Sequence, residues 1–130
     1  MSHQNEKFPP QPAPEIINWQ NRIGKAGHRQ MSKLYSENAI LLPTYGDIAK
    51  GRSAIQKYFV KFLDKKNLKC RLVSNDTKKL PGGFKISNGL YVFTFENEDG
   101  EQQQVLARYT YVTNSKGLII THHSSEEPDF

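Results

Sequence analysis

The chain has 130 residues, a formal charge of +5 and 36% hydrophobic residues, enough for one sizeable core and too short for two full domains. Its single cysteine, Cys70, excludes an internal disulfide and supplies no cysteine pair for a metal. No apolar run approaches the roughly 18 residues of a membrane span, so the expectation is a cytoplasmic protein that does not enter membranes.

Residues 1–14 carry Pro9, Pro10, Pro12 and Pro14 among polar residues and read as a disordered tail without the apolar centre of a signal peptide. From Glu15 the pattern changes, and residues 15–130 read as one domain. Ile16, Ile17, Trp19 and Ile23 give a helix one apolar side, with Pro14 suited to its first position. After Gly24 and Gly27, a second helix is expected over His28–Ser36, with Met31, Leu34 and Tyr35 on one face. Ala39–Pro43 is a short strand that ends at its proline. The clearest helix spans Arg52–Lys66, where Ala54, Ile55, Tyr58, Phe59, Phe62 and Leu63 form a wide apolar stripe and Ser53 is placed to cap it.

From Leu68 the period becomes two. A strand over Leu68–Asn75, a Pro81-Gly82-Gly83 turn and a long strand over Phe84–Glu96 follow. The Asp99-Gly100 pair suits a hairpin turn into a strand over Gln102–Thr113. A last strand covers Leu118–Ser124. Helices followed by a run of antiparallel strands give an α+β fold.

Candidate site residues gather in the last two strands. Arg108 lies in the middle of a strand, and such a cation needs a partner, a ligand or a route to the rim. Strand alternation sets Leu106, Arg108, Thr110 and Val112 on one face and Val105, Ala107, Tyr109 and Tyr111 on the other. The mixed face is expected to wall a pocket in which Arg108 captures an acidic ligand. The aromatic face is expected to pack on another sheet or on a second subunit, and Tyr91, Phe93 and Phe95 would join it in an aromatic patch too apolar to leave in water. His122 and His123 are neighbours, so they point to opposite faces, which argues against a shared metal and leaves one as a candidate pocket base. Lys57, Lys61 and Lys65 share a helix face without interleaved aromatic residues, so a solvated face is expected and not a nucleic-acid site. No nucleophile elbow surrounds Ser124 or Ser125, and no glycine-rich phosphate loop opens a helix.

Trp19, Leu34-Tyr35, the stretch Asn38-Ala39-Ile40-Leu41-Leu42-Pro43-Thr44, Gly51 before Ile55 and Tyr58-Phe59, Ala107-Arg108-Tyr109-Thr110 and His122-His123-Ser124-Ser125 occur in this order. Together they resemble the association domain of calcium/calmodulin-dependent protein kinase and its small stand-alone bacterial relatives, within the SnoaL-like, or nuclear-transport-factor-like, superfamily. The resemblance implies a cone-shaped, strongly curved antiparallel sheet wrapped around N-terminal helices. It also implies a deep pocket and homo-oligomers, a dimer first, formed through the sheet's outer face. Arg108 matches the family's pocket arginine. Val92 and Ser124 stand where the kinase hub carries further arginines, Ile55 replaces a helix histidine, and Leu118 replaces a tryptophan. The expected ligand-binding set is Arg108, Thr110, His122, His123, Tyr58 and Trp19, for a small organic molecule, with no cofactor and no metal. The alternative is an isomerase, dehydratase or cyclase that acts on an apolar ring through a pocket histidine.

Overall fold

The computed structural model describes residues 14–128. Three helices, α1 (Pro14–Arg22), α2 (His28–Ser32) and α3 (Arg52–Phe62), pack in the hollow of a six-stranded sheet. The strands are β1 (Tyr35–Leu42), β2 (Ala49–Lys50), β3 (Lys66–Lys79), β4 (Lys85–Glu96), β5 (Gln102–Thr113) and β6 (Ile119–Glu126). Their order across the sheet is β2-β1-β6-β5-β4-β3. All neighbours run antiparallel except β1 and β6, which pair in parallel, so the sheet is mixed. The fold is the α+β cone expected from the sequence. Except for Pro14, the expected tail lies outside the described residues.

The elements follow the residue pattern closely where periodicity is strong. Helix α1 turns Ile16 and Trp19 inward, and Ile23 just beyond its end is buried with them. Helix α3 buries Ile55 and Phe59 and ends earlier than its apolar stripe suggests, at Phe62. Gly51, at φ 87°, caps the start of α3 in a backbone region that side chains disfavour, so Ser53 lies inside the helix and not at its cap. Helix α2 is shorter than expected because Tyr35 already belongs to β1. The Arg52 guanidinium donates to the Tyr35 carbonyl from Nε at 3.0 Å and Nη2 at 2.7 Å, which fastens the start of α3 to β1. Strand β2 has only two residues and carries no periodic signal.

A bulge between Leu72 and Ser74 bends β3, and the Gln20 side chain accepts a hydrogen bond from the Leu72 amide there. Gly89 in β4 faces this bend. A Cβ at Gly89 would run into the Ser74 carbonyl and the Tyr109 hydroxyl, so glycine is what allows the two strands to close.

The alternation within β5 holds, but its two faces are exchanged relative to expectation. Ala107, Tyr109 and Tyr111 are buried against the helices, whereas Leu106 and Arg108 are exposed on the convex side. Tyr91 and Phe93 of β4 are also buried in the core, and Phe95 packs at its margin. The aromatic set is therefore interior and does not form a subunit-binding exterior. Apolar and aromatic side chains gain most from leaving water, and Trp19, Tyr58, Phe59 and Phe62 on the helices supply the matching surface.

Candidate functional site

The hollow between α1, α3 and the concave sheet face encloses a narrow cavity of about 50 Å³. That is several times the roughly 10–15 Å³ one water requires, and about a third of the roughly 150 Å³ of a cavity that encloses benzene. Trp19, Tyr58, Phe59, Phe62, Tyr91, Phe93 and Phe95 line it, with Leu41, Pro43 and Val105. Trp19 lies stacked on Tyr91 with centroids 5.7 Å apart, and Phe62 meets Phe93 edge-on at 5.3 Å. Tyr45 and Lys65 stand at the margin, and Lys65 Nζ lies 4.6 Å over the Phe95 ring. The Tyr45 hydroxyl donates to Glu126 Oε1 at 2.7 Å, and this bond to a carboxylate raises the tyrosine's pKa. An open groove of about 820 Å³ along α3 shares Tyr45, Tyr58, Phe62 and Lys65 with the cavity.

The polar part of the wall is small. His122, 2% exposed, accepts or donates at both ring nitrogens: Tyr35 Oη lies 2.7 Å from Nδ1 and Tyr91 Oη 3.1 Å from Nε2. Trp19 Nε1 donates to Tyr35 Oη at 3.0 Å. Tyr111 stacks on the imidazole at 4.0 Å between centroids. Burial in this aromatic box, helped by the neighbouring His123, lowers the His122 pKa from 6.5 to about 3. Burial likewise pushes the hydroxyls of Tyr35, Tyr91 and Tyr111 well above their ordinary range, with Ser124 pulling Tyr91 the other way. All four groups are neutral near pH 7. Ser124 Oγ and Thr44 Oγ1, 2.6 Å apart, complete the polar edge.

Of the expected ligand-binding residues, Trp19, Tyr58 and His122 meet at the cavity. Arg108, Thr110 and His123 do not. Arg108 is exposed on the convex face, paired across the strands with Leu90 and Ser125. Thr110 bonds Asn88 on that face at 2.7 Å, and His123 is exposed beside it. The expected interface residues Tyr91, Phe93 and Phe95 line the cavity instead, while Tyr109 donates to Ser74 O and Asn75 Oδ1 and Tyr111 packs on His122. Strand parity separated the two histidines correctly. It gave no sign of which face the helices cover.

Sequence reasoning missed Tyr35, Thr44 and Ser124 as site residues. Tyr35 shares a helical face with Met31 in the sequence pattern, and its position three residues after Ser32 carries no strand signal. Among the described residues, no three His, Cys, Asp or Glu side chains come together as metal ligands would, and no helix is long and apolar enough to cross a membrane.

The family model of the calcium/calmodulin dependent protein kinase II association domain matches residues 15–128. The chain belongs to this association-domain family. A solved Xanthomonas campestris protein assigned to the same domain is 30% identical, with a TM-score of 0.81 over 88% of this chain and 84% of that one. Two more distant structures share the fold alone. A Catenulispora acidiphila protein with a ketosteroid isomerase-like fold, in complex with trimethylamine, is 10% identical with a TM-score of 0.72, covering 88% and 85% of the two chains. The epoxide hydrolase/cyclase-like enzyme SalBIII, described for pyran ring formation in salinomycin, is 13% identical with a TM-score of 0.72 over 87% and 88%. Among curated proteins, no relative matches the chain. Ser124, where the resemblance sets a hub arginine, lines the cavity as a neutral hydroxyl, whereas Val92 alternates away from it between Tyr91 and Phe93.

Proposed function

We propose that this association-domain protein is a single domain over residues 15–130 that self-associates, first as a dimer, in the cytoplasm, and holds one small apolar ring where its cavity opens to the groove along α3. The observation that carries the reading is the composition of the wall: the rings of Trp19, Tyr58, Phe59, Phe62, Tyr91, Phe93 and Phe95 surround a slot whose polar edge is uncharged. Such a site favours a ring over a chain of charges, because an unpaired charge is costly to bring out of water. For an acidic substituent, the cation within reach is Lys65 at the margin, not Arg108. Self-association is supported by the family and by the convex face, which exposes Leu106 and Val73 beside Arg108 and Arg71.

A ligand panel of cyclopentanone, cyclopentanecarboxylate and their open-chain counterparts tests the pocket by heteronuclear NMR titration. Rings should bind better than open chains. Lys65→Gln should weaken the carboxylate alone, and Arg108→Ala should change neither. Loss of all binding in Arg108→Ala, or no binding by any ring, contradicts the reading. Sedimentation at micromolar concentration tests self-association, and a monomer there would remove it.

A second reading, an isomerase, dehydratase or cyclase, is favoured by the presence of His122 in the wall. Both its ring nitrogens are engaged and its pKa is held at about 3, so the resting imidazole is a poor base at neutral pH. Deuterium exchange at the α-carbon of cyclopentanone separates the two readings. Exchange accelerated by wild type and lost in His122→Gln would support catalysis, and none above buffer would retire it.

A further inference from the structure

The hydrogen bonds around His122 form a line that begins at a group able only to donate. Trp19 Nε1–H has no acceptor capacity, and it donates to Tyr35 Oη in the core. Tyr35 is fully buried and has one proton of its own to place. The acceptor available to it among the described residues is His122 Nδ1, at 2.7 Å. A neutral imidazole carries one N–H, so with Nδ1 accepting, the proton resides on Nε2 and is donated to Tyr91 Oη at 3.1 Å. The opposite tautomer would make Tyr35 accept twice and leave its own proton without an acceptor in a sealed core, an arrangement that buried donors avoid. Four groups in line thus share three bonds, and the fourth proton, on Tyr91, is left for Ser124, the hydroxyl that also pulls on it, or for a ligand. With Ser124 and Thr44, 2.6 Å apart, the six groups hold six protons and at most five bonds, so at least one proton stays unplaced among the hydroxyls of the cavity wall.

Resting on the pocket reading above, we infer that the cavity is a directional donor site: Trp19, acting through Tyr35 and His122, commits the Tyr91 hydroxyl to donate, so the site selects rings bearing a hydrogen-bond acceptor such as a ketone oxygen and rejects rings that only donate. Thr44, Tyr91 and Ser124 all line the cavity, so the surplus proton lies on its wall, within reach of a ring that carries an acceptor oxygen. Tyr35 is a positioning residue, since it does not line the cavity and acts through the imidazole, whereas Trp19 both walls the cavity and acts through Tyr35.

Two measurements on the wild-type protein test this. Long-range proton–nitrogen NMR of the imidazole reads the His122 tautomer directly, without ligand. The Nε2–H form is expected, and the Nδ1–H form would overturn the inference. Titration with cyclopentanone, an acceptor-only ring, and with pyrrole, a donor-only ring of similar size, reads the selectivity. Cyclopentanone should bind about tenfold more tightly, and the preference should vanish in Tyr91→Phe with Ser124→Ala and shrink in Trp19→Phe. Equal binding of the two rings by wild type would overturn the inference while leaving the pocket standing. Binding of neither ring would refute the pocket reading, and the selectivity with it.

Discussion

The concave and convex faces of β5 and β6 are built from alternate residues of the same two strands, yet they differ in almost every physical respect. On the concave side, Tyr111 and His122 stack at 4.0 Å inside an aromatic box, and the imidazole is neutral and bonded at both nitrogens. One residue away, His123 and Arg108 stand in water. In a curved sheet the covered face is decided by what packs against it. The helices bring Trp19, Phe59 and Phe62, so the face that can bury aromatic surface turns inward, and the cation turns out.

The comparison breaks most visibly under truncation. Trp19→Ala removes the indole that touches Tyr91, Phe93, Tyr111 and His122, and should cost about 3–5 kcal/mol of stability by urea denaturation. A cost near that of a surface substitution would mean that the hollow is not packed as described. Acid sharpens the same contrast. His122 titrates at about 3 folded and near 6.5 unfolded, so between these values the unfolded chain binds more protons and stability falls as pH falls. The loss attributable to this group should approach about 1.4 kcal/mol per pH unit within that window. The stability advantage of wild type over His122→Phe should accordingly fall from pH 7 to pH 4, far enough to vanish or reverse. A constant difference would show that His122 is not buried as a neutral group.

At neutral pH, His122→Phe leaves the Tyr35 and Tyr91 hydroxyls without their shared partner and should cost about 1–3 kcal/mol. Arg108→Ala, on the other face, should stay within about 0.5 kcal/mol in the same assay. A cost for Arg108→Ala matching that of His122→Phe would erase the distinction between the faces.

Much of this architecture was legible in the residues. The helical spacing of Ile16, Trp19 and Ile23 and the Asp99-Gly100 turn placed α1 and the β4–β5 hairpin, because period and turn chemistry are local. Parity along β5 and β6 sorted the residues into two sets for the same reason. The assignment of those sets to inside and outside was not local. It depended on the helices' side chains, and a strand with aromatic residues on one face and a cation on the other fits a pocket read either way. Tyr35 shows the limit most clearly. Its role as the link between Trp19 and His122 joins positions 16 and 87 residues apart, and no spacing within any one element announces it. The parallel pairing of β1 with β6 is likewise a product of tertiary closure.

Aromatic and imidazole chemical shifts followed through a cyclopentanone titration test the central claim most directly. The account predicts progressive, saturable changes at the Trp19 indole, the Tyr91 ring and the His122 imidazole, with Arg108, Thr110 and His123 unmoved. Changes confined to Arg108, Thr110 and His123 would contradict it.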